Sequence, residues 1–203
     1  MELLVWSAMV HDGAIPRLRI GDEWTADLFF ELSWPMERAS STDGLRFDKA
    51  SIDPKDDGPG PWYQVTARVL RTRSESGIEE VALATPELVL CVRPRELVPE
   101  GAAATGLGVL TVDAWQPSWG FPESSRRCRV KRILAWTTAR VAGEAEKPRP
   151  IVEEIEQFGD EEIPLDLSKL RRESVSAPLH EGVFLVNPKA KVDTDYLVDV
   201  DFY

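Results

Sequence analysis

The strongest constraint on the fold is a long stretch in which apolar and polar residues alternate. Its even positions carry Trp24, Ala26, Leu28, Phe30, Leu32 and Trp34, and the odd positions between them are mostly polar. Because alternate side chains of a β-strand point to opposite faces, this pattern predicts a strand with one buried face, with Trp24, Leu28, Phe30 and Leu32 in the core. A strand of about 11 residues exceeds the usual length and favours a barrel or a strongly bent sheet.

Further strand-like runs follow along the chain, separated by glycine and proline turns. We predict strands at 3–10, 45–52, 62–72, 78–85, 87–93, 107–115, 128–141, 183–186 and 192–202. Many strands between turns of this kind indicate a mostly β fold, either an antiparallel barrel or a two-sheet sandwich. The 15 prolines leave little room for long helices.

One or two short helices are predicted near the C-terminus. Ile151, Ile155 and Phe158 have helical spacing between Pro150 and Gly159, and residues 166–173 could form another turn or two. Residues 1–142 contain 20 acids and 17 bases, a net charge of -3, whereas residues 143–203 contain 15 acids and 7 bases, a net charge of -8. We expect residues 1–142 to form the barrel or sandwich core and the acidic segment 143–203 to return onto it, giving one domain.

The cysteines and the N-terminus suggest where the protein works. Cys91 and Cys128 stand in apolar runs, too far apart for a zinc motif, so we expect two small core residues. A disulfide would require their strands to be neighbours. No segment reaches the ~18 apolar residues of a membrane span. Glu2 stands where a signal peptide carries positive charge, so we expect a cytoplasmic protein without a membrane partner.

The segment 113–132 is the sharpest candidate site, because a Pro/Gly loop with three aromatic residues runs directly into a basic strand. The candidate ligand-binding residues are Trp115, Trp119, Phe121, Arg127, Arg129 and Lys131. Aromatic rings offer stacking faces and basic side chains offer anion contacts. Strand alternation puts the three bases on one face and Cys128 and Val130 toward the core. The alternative is structural: the aromatic residues close one end of the barrel, and the bases pair with the acidic tail.

Other polar patterns are weaker. A row of acids, Asp193, Asp195, Asp199 and Asp201, alternates with apolar residues in the last predicted strand. Same-face residues of a strand are too widely spaced to surround one ion, so we expect a solvated face that protects a sheet edge. His11 and His180 each adjoin an acid but belong to no known catalytic motif. The sequence therefore predicts no catalytic residue, no metal site and no cofactor.

The net charge of -11 argues against nucleic-acid binding, which depends on neutralising phosphates. The leading interpretation is a non-enzymatic binding or protein-interaction module, with a protein partner or self-association. One alternative is an enzyme whose site is assembled only in three dimensions, around His11 or His180 and the aromatic loop. Another is an acidic inhibitor or immunity-type protein that masks a basic partner.

Overall fold

A computed structural model describes residues 1–50, 61–73, 77, 79–93, 95–113, 120–141, 151–158 and 190–203. The strands are β1 Glu2–Val5, β2 Leu18–Arg19, β3 Glu23–Leu32, β4 Glu37–Arg38, β5 Arg46–Lys49, β6 Trp62–Arg73, β7 Glu79–Ala84, β8 Val89–Arg93, β9 Ala103–Val112, β10 Ser125–Val141, β11 Ile151–Ile155, β12 Gln157–Phe158 and β13 Ala190–Phe202. Helix α1 spans Ser7–His11, and short 3-10 helices span Arg95–Leu97 and Pro122–Ser124. The predicted mostly β fold is confirmed.

Eight strands close into a barrel, in the order β10, β13, β1, β9, β6, β7, β8, β3 and back to β10. The prediction of an antiparallel barrel is wrong, because β1 pairs with β9, and β3 with β8, in the parallel sense. The chain returns to β3 in the same direction only after four further strands, β4 to β7. Alternation within a strand shows which face is buried and carries no information about the direction of its neighbour.

The ladder between β3 and β9 divides the barrel into two closed circuits. Residues 28–32 of β3 pair with residues 108–112 of β9. At one end of β3, residues 29–31 pair with β8, and β7 and β6 complete the circuit back to β9. At the other end, residues 23–27 pair with β10, and β13 and β1 complete the second circuit. Each end of β3 therefore serves a different circuit, which explains why this strand is long.

Both circuits enclose one continuous apolar core. Ala26, Leu28, Phe30 and Leu32 are buried in it, as the alternation predicts, and Trp24 is partly buried against it. Trp34 departs from the pattern: it lies beyond the end of β3 and is 64% exposed. The alternation therefore predicts the buried face well within the strand but overestimates its length at the C-terminal end.

The N-terminal apolar run is a short strand followed by a helix, not the single strand predicted for 3–10. After β1, the chain enters α1, where Met9 and Val10 are buried in the barrel core. An apolar run without clear alternation fits a buried strand and a buried helix equally well. The helix packs against β13 and helps to close this end of the core.

The helix predicted between Pro150 and Gly159 is wrong. Residues Ile151–Ile155 form β11, which pairs with residues 133–137 of β10, and β12 pairs with β2. Positions 151 and 155 are four residues apart, which also places them on the same face of a strand. Their spacing therefore fits a strand as well as a helix. The ladder with β10 supplies backbone partners that a short isolated helix would lack. The second suggested helix, at 166–173, lies outside the described residues.

The final strand, β13, pairs with β10 along its length and with β1 at residues 196–199. Asp199 therefore lies where β13 has a neighbouring strand on both sides, and at this position the expectation that the acidic row protects a sheet edge is wrong. Tyr196, Val198 and Val200 point into the core, and the Tyr196 ring stacks on Phe158 with centroids 4.7 Å apart. The suggested boundary between residues 142 and 143 lies outside the described part of the chain.

The two cysteines are free and buried on opposite faces of the barrel wall. Cys128 contributes to the inner core, whereas Cys91 packs outside it with Phe29, Ala82 and Phe121. Their strands, β8 and β10, each pair with β3, and no ladder among the described residues joins them to each other, so the strand adjacency that a disulfide requires is not met there. The two side chains also point to opposite sides of the sheet, so they cannot be bridged without moving the backbone.

Candidate binding surface

The basic residues of β10 alternate with core residues as the sequence predicts. Cys128 and Val130 are fully buried, whereas the side chains of Arg127 and Arg129 are 66% and 60% exposed. Lys131 is also exposed. The pairing with β13 shifts between Val130 and Arg132, and such a bulge turns successive side chains to the same side. Arg132, whose side chain is 43% exposed, therefore follows Lys131 on the outer side, where simple alternation would turn it inward.

Two arginines converge on one carboxylate. Arg129 Nη2 donates to Glu23 Oε1 over 2.8 Å, and Arg127 Nη2 donates to Glu23 Oε2 over 3.3 Å. The cross-strand register brings both arginines to this carboxylate. Arg129 lies directly across from Glu23, and Arg127, two residues earlier in β10, is on the same face. The hydrogen bond from Arg129 is the largest of the effects that lower the pKa of Glu23. The carboxylate is therefore charged throughout the neutral range.

Tyr203 adds an aromatic ring to this surface. Its backbone N–H donates to the Arg127 carbonyl over 3.1 Å, and the Arg127 guanidinium carbon lies 5.5 Å from the ring centroid. Partial desolvation, followed by the hydrogen bond to Glu23, raises the pKa of the Tyr203 hydroxyl. The ring is 56% exposed, so it keeps a surface available for contact. Our sequence analysis missed this residue, which directly follows the alternating pattern of β13.

Among the described residues, the lysine of the row pairs with the acidic tail, whereas the arginines pair with β3. Lys131 Nζ lies 3.3 Å from Asp201 Oδ1, and both arginines pair with Glu23 of β3. Within this part of the chain, Lys131 makes the contact that the structural alternative proposed for these bases. We define the β10 outer surface by the residues that meet there: Glu23, Arg127, Arg129, Lys131, Asp201 and Tyr203.

Of the three aromatic residues in the predicted site, Phe121 is within the described part of the chain. Trp115 and Trp119 lie outside the described residues. Phe121 is only 7% exposed, in the outer cluster with Phe29, Ala82 and Cys91. It therefore anchors the start of the 3-10 helix before β10 and does not offer an open stacking face. Among the described residues, the ring that the structure brings to the basic row is that of Tyr203.

A second polar cluster lies beside Phe121. The Asp113 carboxylate is 4% exposed and pairs with Arg93, whose guanidinium carbon lies 5.0 Å from the centroid of the Phe29 ring. The Cys91 thiol donates to Ser124 Oγ over 3.5 Å, and burial raises the pKa of this thiol. A thiol held in its protonated form is a poor nucleophile. This arrangement joins the end of β9 to the start of β10 without forming a catalytic pair.

The described residues contain no cluster of three or more metal-ligating side chains of the histidine, cysteine and carboxylate types. No helix within that same part of the chain has the length and apolar character of a membrane span. The side chain of His11, in α1, and the whole of His180 lie outside what the structure describes.

Comparisons with protein-family models, with curated proteins and with solved structures give no significant match to this chain.

Proposed function

We propose that this chain is a non-enzymatic interaction module, and that the β10 outer surface binds an acidic segment of a protein partner. The observation that carries the proposal is the pair of exposed guanidinium groups, Arg127 and Arg129, which share the Glu23 carboxylate. Guanidinium groups bind carboxylates through paired hydrogen bonds. An adjacent exposed aromatic ring, that of Tyr203, adds apolar contact of the kind common at protein interfaces.

Charge favours a protein carboxylate over nucleic acid as the ligand. The three bases and two acids of the β10 outer surface sum to +3 - 2 = +1, within a chain whose net charge is -11. Such a surface can attract a short acidic segment locally, whereas a long polyanion would also meet the repulsion of the whole chain. The two thiols also suit a reducing compartment, so we propose a cytoplasmic protein.

The two other interpretations have less support. An inhibitor that masks a basic partner would use carboxylates of the acidic segment, and two of those in its described part already have partners: Asp201 pairs with Lys131, and Asp199 accepts a hydrogen bond from the Met1 amino group. An enzyme would need a nucleophile beside a base. The polar cluster of Asp113, Arg93 and Cys91, in which Asp113 and Cys91 are buried and Arg93 is exposed, supplies an ion pair and a protonated thiol.

A fluorescently labelled oligoglutamate peptide provides the direct test. Its anisotropy should rise on titration with the protein, and binding should weaken as salt is added, because the contacts are ionic. The double variant Arg127→Gln/Arg129→Gln should lose this binding. The matched control is Arg46→Gln, which removes an exposed arginine paired with Asp48 on β5, outside the proposed surface.

Three outcomes would contradict the proposal. Failure of the peptide to bind, or equal loss of binding in Arg46→Gln, would remove the β10 outer surface as the site. Tighter binding of a single-stranded oligonucleotide than of the peptide would replace the partner class with nucleic acid. A concentration-dependent dimer that disappears in the double variant would identify a second copy of the chain as the partner.

A further inference from the structure

We infer that Glu23 is an intramolecular occupant of the β10 outer surface, whose place a partner's carboxylate takes on binding. This inference rests on the proposed function and concerns how the same site is regulated. Glu23 accepts hydrogen bonds from Arg127 and Arg129, and it also interacts with the Tyr203 hydroxyl. These are the groups that an incoming carboxylate would use.

The backbone holds the arginines in position independently of Glu23. Arg129 lies within the pairing of β10 with both β3 and β13, and Arg127 pairs with β3 while its carbonyl accepts a hydrogen bond from the Tyr203 N–H, so the backbone of both residues is held on both sides. Glu23, in contrast, is the first residue of β3. Its side chain can therefore swing away while the two guanidinium groups remain presented side by side.

Exchange of one carboxylate for another is feasible because all the groups are open to solvent. The Glu23 side chain is 46% exposed, and both arginine side chains are more exposed still. Displacing Glu23 into water therefore strands no buried charge, which is the step that would otherwise make such an exchange costly. The partner gains the vacated hydrogen bonds, and Glu23 regains its hydration.

Because Glu23 occupies the site, neutralising its side chain should raise the affinity for the ligand. Loss of the Glu23 charge changes the sum for the β10 outer surface from +3 - 2 = +1 to +3 - 1 = +2, and it also frees both guanidinium groups. Removing a residue of the site should therefore strengthen binding. Replacing Arg127 and Arg129 should weaken it.

The experiment compares three single charge-neutralising variants against the labelled oligoglutamate peptide. Glu23→Gln should bind the peptide about twofold to fivefold more tightly than the wild type. Asp201→Asn removes one negative charge from the same surface but frees only Lys131, so its gain should be smaller. Asp48→Asn removes an acid paired with an arginine on β5 and should leave the affinity unchanged.

The outcomes separate the two proposals. Unchanged or weaker binding by Glu23→Gln would overturn the inference while leaving the arginine site intact. Equal gains in Glu23→Gln and Asp201→Asn would also overturn it, because net charge alone would then explain the effect. If peptide binding by the wild type and by Glu23→Gln were both undetectable, the proposed function would fail as well.

Discussion

The two faces of the β3–β10 ladder carry side chains of the same two strands, but these side chains are buried on the inner face and exposed on the outer face. On the inner face, Ala26 of β3 and Cys128 of β10 have no exposed surface, and Leu28 and Phe30 continue this buried row of β3 beyond the ladder. On the outer face, Arg127 and Arg129 are more than half exposed. Since burial of apolar surface is the main favourable term in folding, the inner face stabilises the barrel. The outer face is left free to interact with other molecules.

The outer face itself is divided along β3. Near the C-terminal end of the strand, Phe29 is covered by Phe121 and packs beside Cys91 in a small apolar cluster. At the N-terminal end, Glu23 is exposed beside the arginines of β10. Only this second part of β3 can exchange partners without opening a packed cluster. That difference is why we place the binding surface at Glu23.

The largest expected effect is on the inner face, at Leu28. Replacing Leu28 with Ala removes a fully buried side chain and leaves a cavity between the two circuits, so the free energy of unfolding should fall by about 2–5 kcal/mol. Chemical denaturation measures this loss. The matched control is Thr25→Ala, on the exposed outer face of the same strand. Equal midpoints for the two variants would contradict the distinction between the faces.

A second inner-face prediction concerns Gly108 in β9. A Cβ atom there would contact the Glu31 carbonyl oxygen and would lie 2.9 Å from two atoms of the Phe30 ring. Gly108→Ala should therefore force the β3–β9 ladder apart and cost about 1–3 kcal/mol in unfolding free energy. Denaturant midpoints provide the measurement, with Gly44→Ala as a comparison in which the added Cβ meets open space but the positive φ of 77° strains the turn. A variant as stable as the wild type would show that the ladder can relax.

The sequence predicts which residues lie on the inner face better than it predicts which strands are neighbours. Alternation identified the buried residues of β3, and it placed Cys128 and Val130 in the core, because burial depends on local periodicity. The parallel pairings and the β11 strand depend on which distant segment becomes the neighbour, and local periodicity does not record this. The residues of the candidate site were found only in part. Arg127 and Arg129 were expected, whereas Glu23 and Tyr203 join them through cross-strand register.

The pH dependence of the free energy of unfolding provides a third test of the inner face. Burial raises the pKa of the Cys128 thiol from its ordinary value near 9 to about 11. The unfolded chain therefore releases this proton at a lower pH than the native protein does. The stability that the thiol contributes is complete below about pH 9 and is lost as the pH rises through 11, by about 3 kcal/mol at most.

Cys128→Ala isolates this contribution. Its unfolding midpoint should fall less steeply than that of the wild type between pH 9 and 11, although Tyr63, whose pKa is raised to about 12, titrates in both proteins. The slope is the relevant quantity, since the substitution also removes buried volume. Parallel slopes for the two proteins would show that Cys128 does not titrate differently in the folded and unfolded states.

The smallest expected effect on stability is on the outer face. The same variants also test the proposed function. Arg129→Gln and Glu23→Gln each break the 2.8 Å ion pair between these two residues. Both side chains are open to solvent, where ion pairs contribute little, so the thermal midpoint should stay close to that of the wild type in each variant. Their peptide affinities should nevertheless move in opposite directions. A substantial loss of stability in both variants, without a change in binding, would mean that the pair serves the barrel. Opposite shifts in affinity at constant stability require that the two residues act on a ligand, because a purely structural ion pair would respond in the same way to the loss of either partner.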